Sequence, residues 1–293
     1  MNAEIKKIIN VYQHTYNNYT LPIGFGDFLR GCVSLLQICI KYNIVYDIYI
    51  TTPLHLFLKN YKRNEFIDSI HSSIHYYTNQ NTNFSDSNLH NLHNYYNYNN
   101  YLDGFLSFCN NTTVYDNTIY ILTNAYPIQP VTDDERRQIQ YLLEPTNEIV
   151  QYVDTTLQTI QLSPKTYNVI HIRSGDDYLV HNHYINKDKL YNISNTILSY
   201  LDASISYIIL SDNNELNAYI ANISSNIKTI NNKKIHTGKE VSDVNDIKNT
   251  LLDFYIMSHS NHITSFSVYG HGSSFSKWCA EIYNIPISSV IIQ

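Results

Sequence analysis

From Tyr167 to the end of the chain, short apolar runs of strand length alternate with segments whose apolar residues recur every three or four positions. Residues 168–172 (NVIHI), 206–210 (SYIIL), 227–230 and 261–266 have the length and β-branched content of buried strands. Between and after them, 188–200, 215–220, 246–259 and 274–283 carry the helical period, and the tail holds a last short strand. Elements that alternate in this way predict a parallel sheet covered by helices, the doubly wound α/β arrangement. The first fifty residues follow the same order. Residues 5–13 read as a strand, and Gly24-Phe25-Gly26-Asp27 opens a helix marked by Phe28, Cys32, Leu35, Leu36, Cys39 and Ile40. Residues 45–50 (VYDIYI) then return to a strand that Pro53 ends.

The middle of the chain differs. Residues 72–118 are rich in Asn and Tyr and low in complexity, which marks an insertion or a long surface loop. Residues 120–123 read as a strand. Residues 133–159 read as one or two helices, opened by the capping-type run Thr132-Asp133-Asp134-Glu135. A chain of 293 residues fits two domains of ordinary size. The expectation is two Rossmann-type halves with mostly parallel sheets, residues 1–160 and 161–293, hinged within 145–165. In such sheets ligands bind beyond the carboxyl ends of the strands.

Composition narrows the function. Lys and Arg number 19 against 25 Asp and Glu, a net charge of −6, so nucleic acid is not the expected partner. An anionic nucleotide needs only one local positive site and stays possible. Neither a secretory signal nor an apolar run of membrane-spanning length is read, so no membrane span and a cytoplasmic location are expected. Cys32, Cys39, Cys109 and Cys279 form no C-x-x-C pair and read as buried reduced thiols. The abundance of Tyr, Asn and Ile suits an AT-rich genome, viral among the options. In a chain with only 8 glycines, each retained glycine is expected to have a backbone reason.

Four segments carry chemistry, all at strand ends. His171-Ile172-Arg173-Ser174-Gly175-Asp176 leaves a buried strand, so its arginine faces a crevice where a guanidinium can hold a phosphate. Gly175 lets the backbone turn, and Asp176 can orient Arg173. A structural Arg–Asp pair tying the loop is the competing reading. Gly24, Gly26, Asp27 and Arg30 sit at a helix start, where unpaired N–H groups favour anions and Arg30 can be a second phosphate ligand; a plain turn or cap, with Arg30 on the helix surface, is the competing reading. Ser211-Asp212 follows a strand and fits either a ligand hydroxyl contact or an N-cap. Ser273, Ser274, Phe275 and Ser276 open the last helix after Tyr269-Gly270-His271-Gly272, an arrangement suited to an anion nest.

These segments together resemble the GDP-fucose-dependent fucosyltransferases. HIRSGD resembles the H-x-R-x-G-D or H-x-R-R-x-D motif of the α-1,2-, α-1,6- and protein O-fucosyltransferases. The resemblance implies that Arg173 contacts the β-phosphate of the donor and that His171 lies beside the nucleotide. Ser174 stands where many members carry a second Arg. The Gly24–Asp27 loop resembles the family's N-terminal G-x-G-N/D loop and implies a role for Asp27 at the fucose or the acceptor. Ser211-Asp212 would border the nucleotide, and 273–276 resembles the segment whose hydroxyls and amides bind donor phosphates. Asp253-Phe254-Tyr255-Ile256-Met257-Ser258 resembles the family's D-L/F-Y-x-M-S helix, with Asp253 structural.

The implied fold is GT-B-like. The implied reaction is inverting fucosyl transfer from GDP-fucose to a glycan or other hydroxyl acceptor. It would need no metal and no cofactor besides the donor. Asp27, Asp176 and His171 are the candidate general bases. Residues 1–160 would form the acceptor side and 161–293 the donor side. A different GDP-sugar, or a non-catalytic sugar-nucleotide or glycan-binding module, are the alternatives. No G-x-x-x-x-G-K-[ST] loop, strand-end D-x-D or G-x-S-x-G elbow is present. His71/His75, His90/His93, His181/His183 and His259/His262 are incomplete as zinc sets and read as surface or packed histidines, although His181 and His183 follow the HIRSGD segment and could reach an acceptor.

Overall fold

A computed structural model describes residues 5–12, 24–50, 52–62, 74–76, 117–175, 185–230, 232 and 243–292. The chain divides into two compact units, Met1–His55 with Asn60–Glu144 and Leu56–Lys59 with Pro145–Gln293. The division therefore falls at Glu144 and Pro145, ahead of the boundary expected at 160.

The N-terminal unit contains β1 (Lys7–Tyr12), α1 (Phe25–Tyr42), β2 (Val45–Ile50), a 3-10 turn at Pro53–Phe57, β3 (Ile74–Tyr76), β4 (Thr118–Leu122) and α2 (Asp133–Leu142). Its sheet has the order β2-β1-β4-β3 with every pairing parallel. Helix α1 buries Leu35, Ile38 and Cys39 against Ile8, Ile119 and Ile121 of the sheet. Its apolar stripe, legible in the sequence, is what places it there. Helix α2 starts as its first residues predict: Thr132 accepts from the Glu135 amide and Glu135 reaches back to the Thr132 amide. The Glu135 carboxylate is buried and also accepts from Gln37 of α1 and from Gln129, which ties the two helices together.

The C-terminal unit contains α3 (Asn147–Thr159), β5 (Asn168–Arg173), α4 (Lys187–Leu198), β6 (Tyr207–Ser211), α5 (Asn214–Ala221), β7 (Ile227–Thr229), α6 (Val244–Ser258), β8 (Ile263–Ser267), α7 (Ser274–Tyr283) and β9 (Ile287–Ile291). Its sheet runs β7-β6-β5-β8-β9, again parallel throughout. Helix α3 belongs to this unit because its Tyr152 and Glu148 reach Asn249 and Lys248 of α6. Alternation along β5 separates two layers. Ile170 and Ile172 pack with Ile193, Ile197, Leu216 and Ile220 of α4 and α5. His171 points the other way and meets Phe275 of α7, with ring centroids 5.8 Å apart.

The elements read from the sequence stand within a few residues of their expected bounds. The 3-10 turn and β3 were not among them. Strand β3 lies inside the Asn/Tyr-rich stretch, where composition masks a three-residue strand; most of 72–118 lies outside the described residues. Among the described residues, Cys32, Cys39 and Cys279 are buried. Cys109 lies outside them.

Gly31 leaves no room for a side chain. A Cβ there would fall against the carbonyl oxygen of Thr123, far inside van der Waals distance, so α1 crosses the exit of β4 backbone against side-chain-free backbone. Gly31→Ala should lower the unfolding free energy by about 1–3 kcal/mol, read by urea titration, because neither backbone can yield. An unchanged midpoint would contradict this close approach.

Burial also sets the alkaline limit of stability. It pushes the Cys32 thiol up to about 12 from 9.0, and the Tyr167, Tyr255 and Tyr283 hydroxyls above 10.0. Their neutral forms favour the folded state fully below the unfolded-state values, and this contribution drains away as pH rises through the folded ones. The thermal midpoint should therefore fall steadily from about pH 9 upward; a flat midpoint to pH 11 would refute it.

Candidate ligand site at the switch point of the C-terminal sheet

Strand β5 is the first strand of its sheet. The chain proceeds from it to β6 and β7 on one side, then crosses to β8 and β9 on the other. The reversal opens a crevice between the carboxyl ends of β5 and β8, the place where parallel α/β sheets bind ligands. Arg173 ends β5 and pairs in register with Ser267, which ends β8. Arg173 alternates with Ile172 and so shares the face of His171, the face covered by α7.

The arginine is fixed from β6. Its Nη1 donates to Oδ2 of Asp212 at 2.8 Å. Asp212 also accepts from the Ser174 amide at 2.8 Å and the Ser174 hydroxyl at 2.5 Å. The side chains of Arg173 and Asp212 are only 17% and 8% exposed, so the pair works in a medium of reduced screening. Asp212 thus orients Arg173. Asp176, expected in that role, lies outside the described residues. Ser211 is buried, and its hydroxyl accepts from the Asn213 amide, while Asn213 itself caps α5.

The loop after β8 forms the other wall. Tyr269 follows Ser267 with its amide donating to the Ser267 hydroxyl at 3.1 Å. A turn closes with the Gly272 amide on the Tyr269 carbonyl, and Gly272 takes φ +77°, which explains its retention. Ser273 is the N-cap of α7 but its side chain makes no capping bond. The first amides of α7 are therefore not closed off by a side-chain cap. Ser276 turns inward instead: its hydroxyl meets that of Ser265 at 2.9 Å and both are buried. Ser274 is partly exposed at the helix start. Phe275 packs between His171 and Phe254. The structure thus brings His171, Arg173, Ser211, Asp212, Ser273, Ser274, Phe275 and Ser276 to one edge of one sheet. Tyr269 and Ser174 stand with them, outside the residues expected from the sequence. A buried Ser after an arginine carries no signal of its own until its acceptor is located.

The remaining expected residues lie in the N-terminal unit. Gly24 is the N-cap of α1, with Gly26 and Asp27 in its first turn. This helix start packs on the end of β1, where Tyr12 stacks on Phe28 at 4.5 Å. Arg30, considered as a second phosphate ligand, is buried and committed within the unit. Its Nε donates to the Asn124 carbonyl at 2.5 Å, it pairs with Asp27 at 3.2 Å, and its guanidinium lies 4.3 Å from the Tyr126 ring centroid. Arg30 holds the exit of β4 to α1.

Among the described residues, no cluster of three or more His, Cys, Asp or Glu could hold a metal ion. His259 contacts the Tyr255 carbonyl and His262 the Ser288 hydroxyl; the other paired histidines lie outside the described side chains. No helix among the described residues is long and apolar enough to cross a membrane.

No protein-family model and no curated protein sequence matches the chain. In three dimensions it is similar to NodZ α-1,6-fucosyltransferase soaked with GDP-fucose, with a TM-score of 0.53 and 12% identity over 96% of this chain and 94% of that one. The selenomethionine form of NodZ from Bradyrhizobium gives 0.54 and 11% over 94% and 91%. A mutant of Arabidopsis thaliana FUT1 in complex with GDP gives 0.55 and 12% over 99% and 71%. The chain thus has the fold of these proteins, a GT-B-like α/β architecture of two Rossmann-type units.

Removing Asp212 should take a shared acceptor from the Arg173 guanidinium and both Ser174 donors. Asp212→Ala is expected to cost about 2–3 kcal/mol of unfolding free energy, and about 1–2 kcal/mol less in an Arg173→Ala background. Urea denaturation of the four proteins measures this coupling; additive losses would mean that the pair does not interact.

Proposed function

We propose that this protein is a glycosyltransferase that moves fucose from GDP-fucose to a hydroxyl acceptor, with inversion and without a metal. The observation that carries the reading is Arg173, held by Asp212 at the switch point of a parallel sheet beside a helix start without a side-chain cap. The likeness of fold to NodZ supports it.

In the proposed reaction the C1–O bond to the β-phosphate breaks and GDP leaves with the electron pair. The acceptor oxygen bonds to C1 from the opposite face, and its proton passes to a base. The barrier lies mainly in charge that accumulates on the leaving pyrophosphate. Arg173 meets that charge with a cation whose plane Asp212 has already set, so little reorganisation is needed at the moment of bond breaking. The amides at 274–276 and the Ser273 and Ser274 hydroxyls add dipoles of the right sign. His171, braced by Phe275, and the Ser211-Asp212 turn border the nucleotide. Gly24, Gly26 and Asp27 are assigned to the N-terminal unit's share of the reaction, and residues 1–160 to the acceptor. Arg30 serves by holding the loop at Asn124. The base is Asp27, Asp176 or His171.

A calorimetric screen of GDP, GDP-fucose, GDP-mannose and UDP-sugars in the presence of EDTA tests the reading. Binding of the GDP compounds, with a preference for GDP-fucose and a loss of roughly 10- to 100-fold in Arg173→Ala, is the expected result. A folded wild-type protein that binds none of them would sink it. GDP-mannose in place of GDP-fucose would move the donor assignment to another GDP-sugar.

A further inference from the structure

The loop between β8 and α7 brings an aromatic ring to the arginine. The Arg173 guanidinium carbon lies 5.9 Å from the Tyr269 ring centroid. A Cβ at Gly175, whose φ is +119°, would come within 3.4 Å of Val268 Cγ2 and 4.0 Å of the Tyr269 hydroxyl. Tyr269 therefore lies along the whole exit of β5, from Arg173 to Gly175. Its backbone is anchored at both ends, by the Ser267 hydroxyl on its amide and by the Gly272 amide on its carbonyl. The ring itself stacks on His271, with centroids 5.5 Å apart and planes 21° from parallel.

We infer that Tyr269 is a positioning residue for Arg173, holding the guanidinium by its aromatic face while Asp212 holds it by a hydrogen bond. The inference rests on the reading of Arg173 as the group that binds a nucleoside diphosphate. A ring contact added to a hydrogen bond narrows the range of a long flexible side chain and lowers the entropy lost when a diphosphate docks. A ring also offers a cation a favourable surface without taking a hydrogen-bond donor from it. The phenol hydroxyl has no part in this role, whereas the ring does. His271 acts one step further away, by keeping the Tyr269 ring in place.

The test is calorimetric titration of GDP into wild type, Tyr269→Phe, Tyr269→Leu and the same changes in an Arg173→Ala background. A second arm follows the Arg173 Nε–Hε resonance in the ligand-free proteins, since a ring close to the guanidinium shifts and sharpens it. The expected result is wild-type affinity in Tyr269→Phe and about three- to tenfold weaker binding in Tyr269→Leu. No further loss should occur when Arg173 is already absent. The Arg173 resonance should move and broaden in Tyr269→Leu and recover in Tyr269→Phe. Equal affinity of Tyr269→Leu and wild type, or an equal loss in the Arg173→Ala background, overturns the inference. If wild type binds no GDP, the nucleotide reading falls together with the binding consequence. An Arg173 resonance indifferent to Tyr269→Leu would then also deny Tyr269 its hold on the guanidinium.

Discussion

The carboxylate of Asp212 accepts from the Arg173 guanidinium and from both the amide and the hydroxyl of Ser174. These bonds join the exits of two neighbouring strands, β5 and β6, at the edge where the sheet would otherwise fray into loops. A cation at this depth is costly without a partner, and a carboxylate equally so. Each makes the other tolerable, and Ser174 takes up further acceptor capacity. The direction of the guanidinium and the course of the backbone through Ser174 and Gly175 follow from where this carboxylate stands.

The two units put similar parts to different uses. In each, a parallel sheet reverses its winding beside its first strand, and in each an arginine lies close to the reversal. Arg30 is surrounded by the Asn124 carbonyl, Asp27 and Tyr126, and is 7% exposed; it acts as a rivet between α1 and the exit of β4. Arg173 meets the Asp212 carboxylate and the Tyr269 ring at the rim of its sheet.

The chain keeps the fold of NodZ at 12% identity because that fold asks little of any single residue. A parallel sheet needs apolar strands of the right length, helices with an apolar stripe, and connections of one hand. Many sequences meet those demands, including one as rich in Tyr as this, with 28 of them. The positions with no latitude are few and local, such as Gly31 under the Thr123 carbonyl and Gly272 at positive φ.

By itself the sequence determined the order and kind of the elements, because hydrophobic period is a local property that survives any packing. It placed β5, β6, β8 and α7 within a few residues, and it marked the Arg173 and Ser273–Ser276 segments because strand ends and helix starts can be read along the chain. It also set the Thr132–Glu135 capping box, which closes within one turn. What it left open concerns partners far apart in sequence. Whether Asp212 would reach Arg173, whether Arg30 faced a ligand or the Asn124 carbonyl, and which glycine lay against backbone all depended on which strands became neighbours. Strand order decides those neighbours, and strand order is fixed by how the helices cover the sheet. Only the tertiary structure could therefore bring Asp212 and Tyr269 to Arg173 and assign α3 to the C-terminal unit.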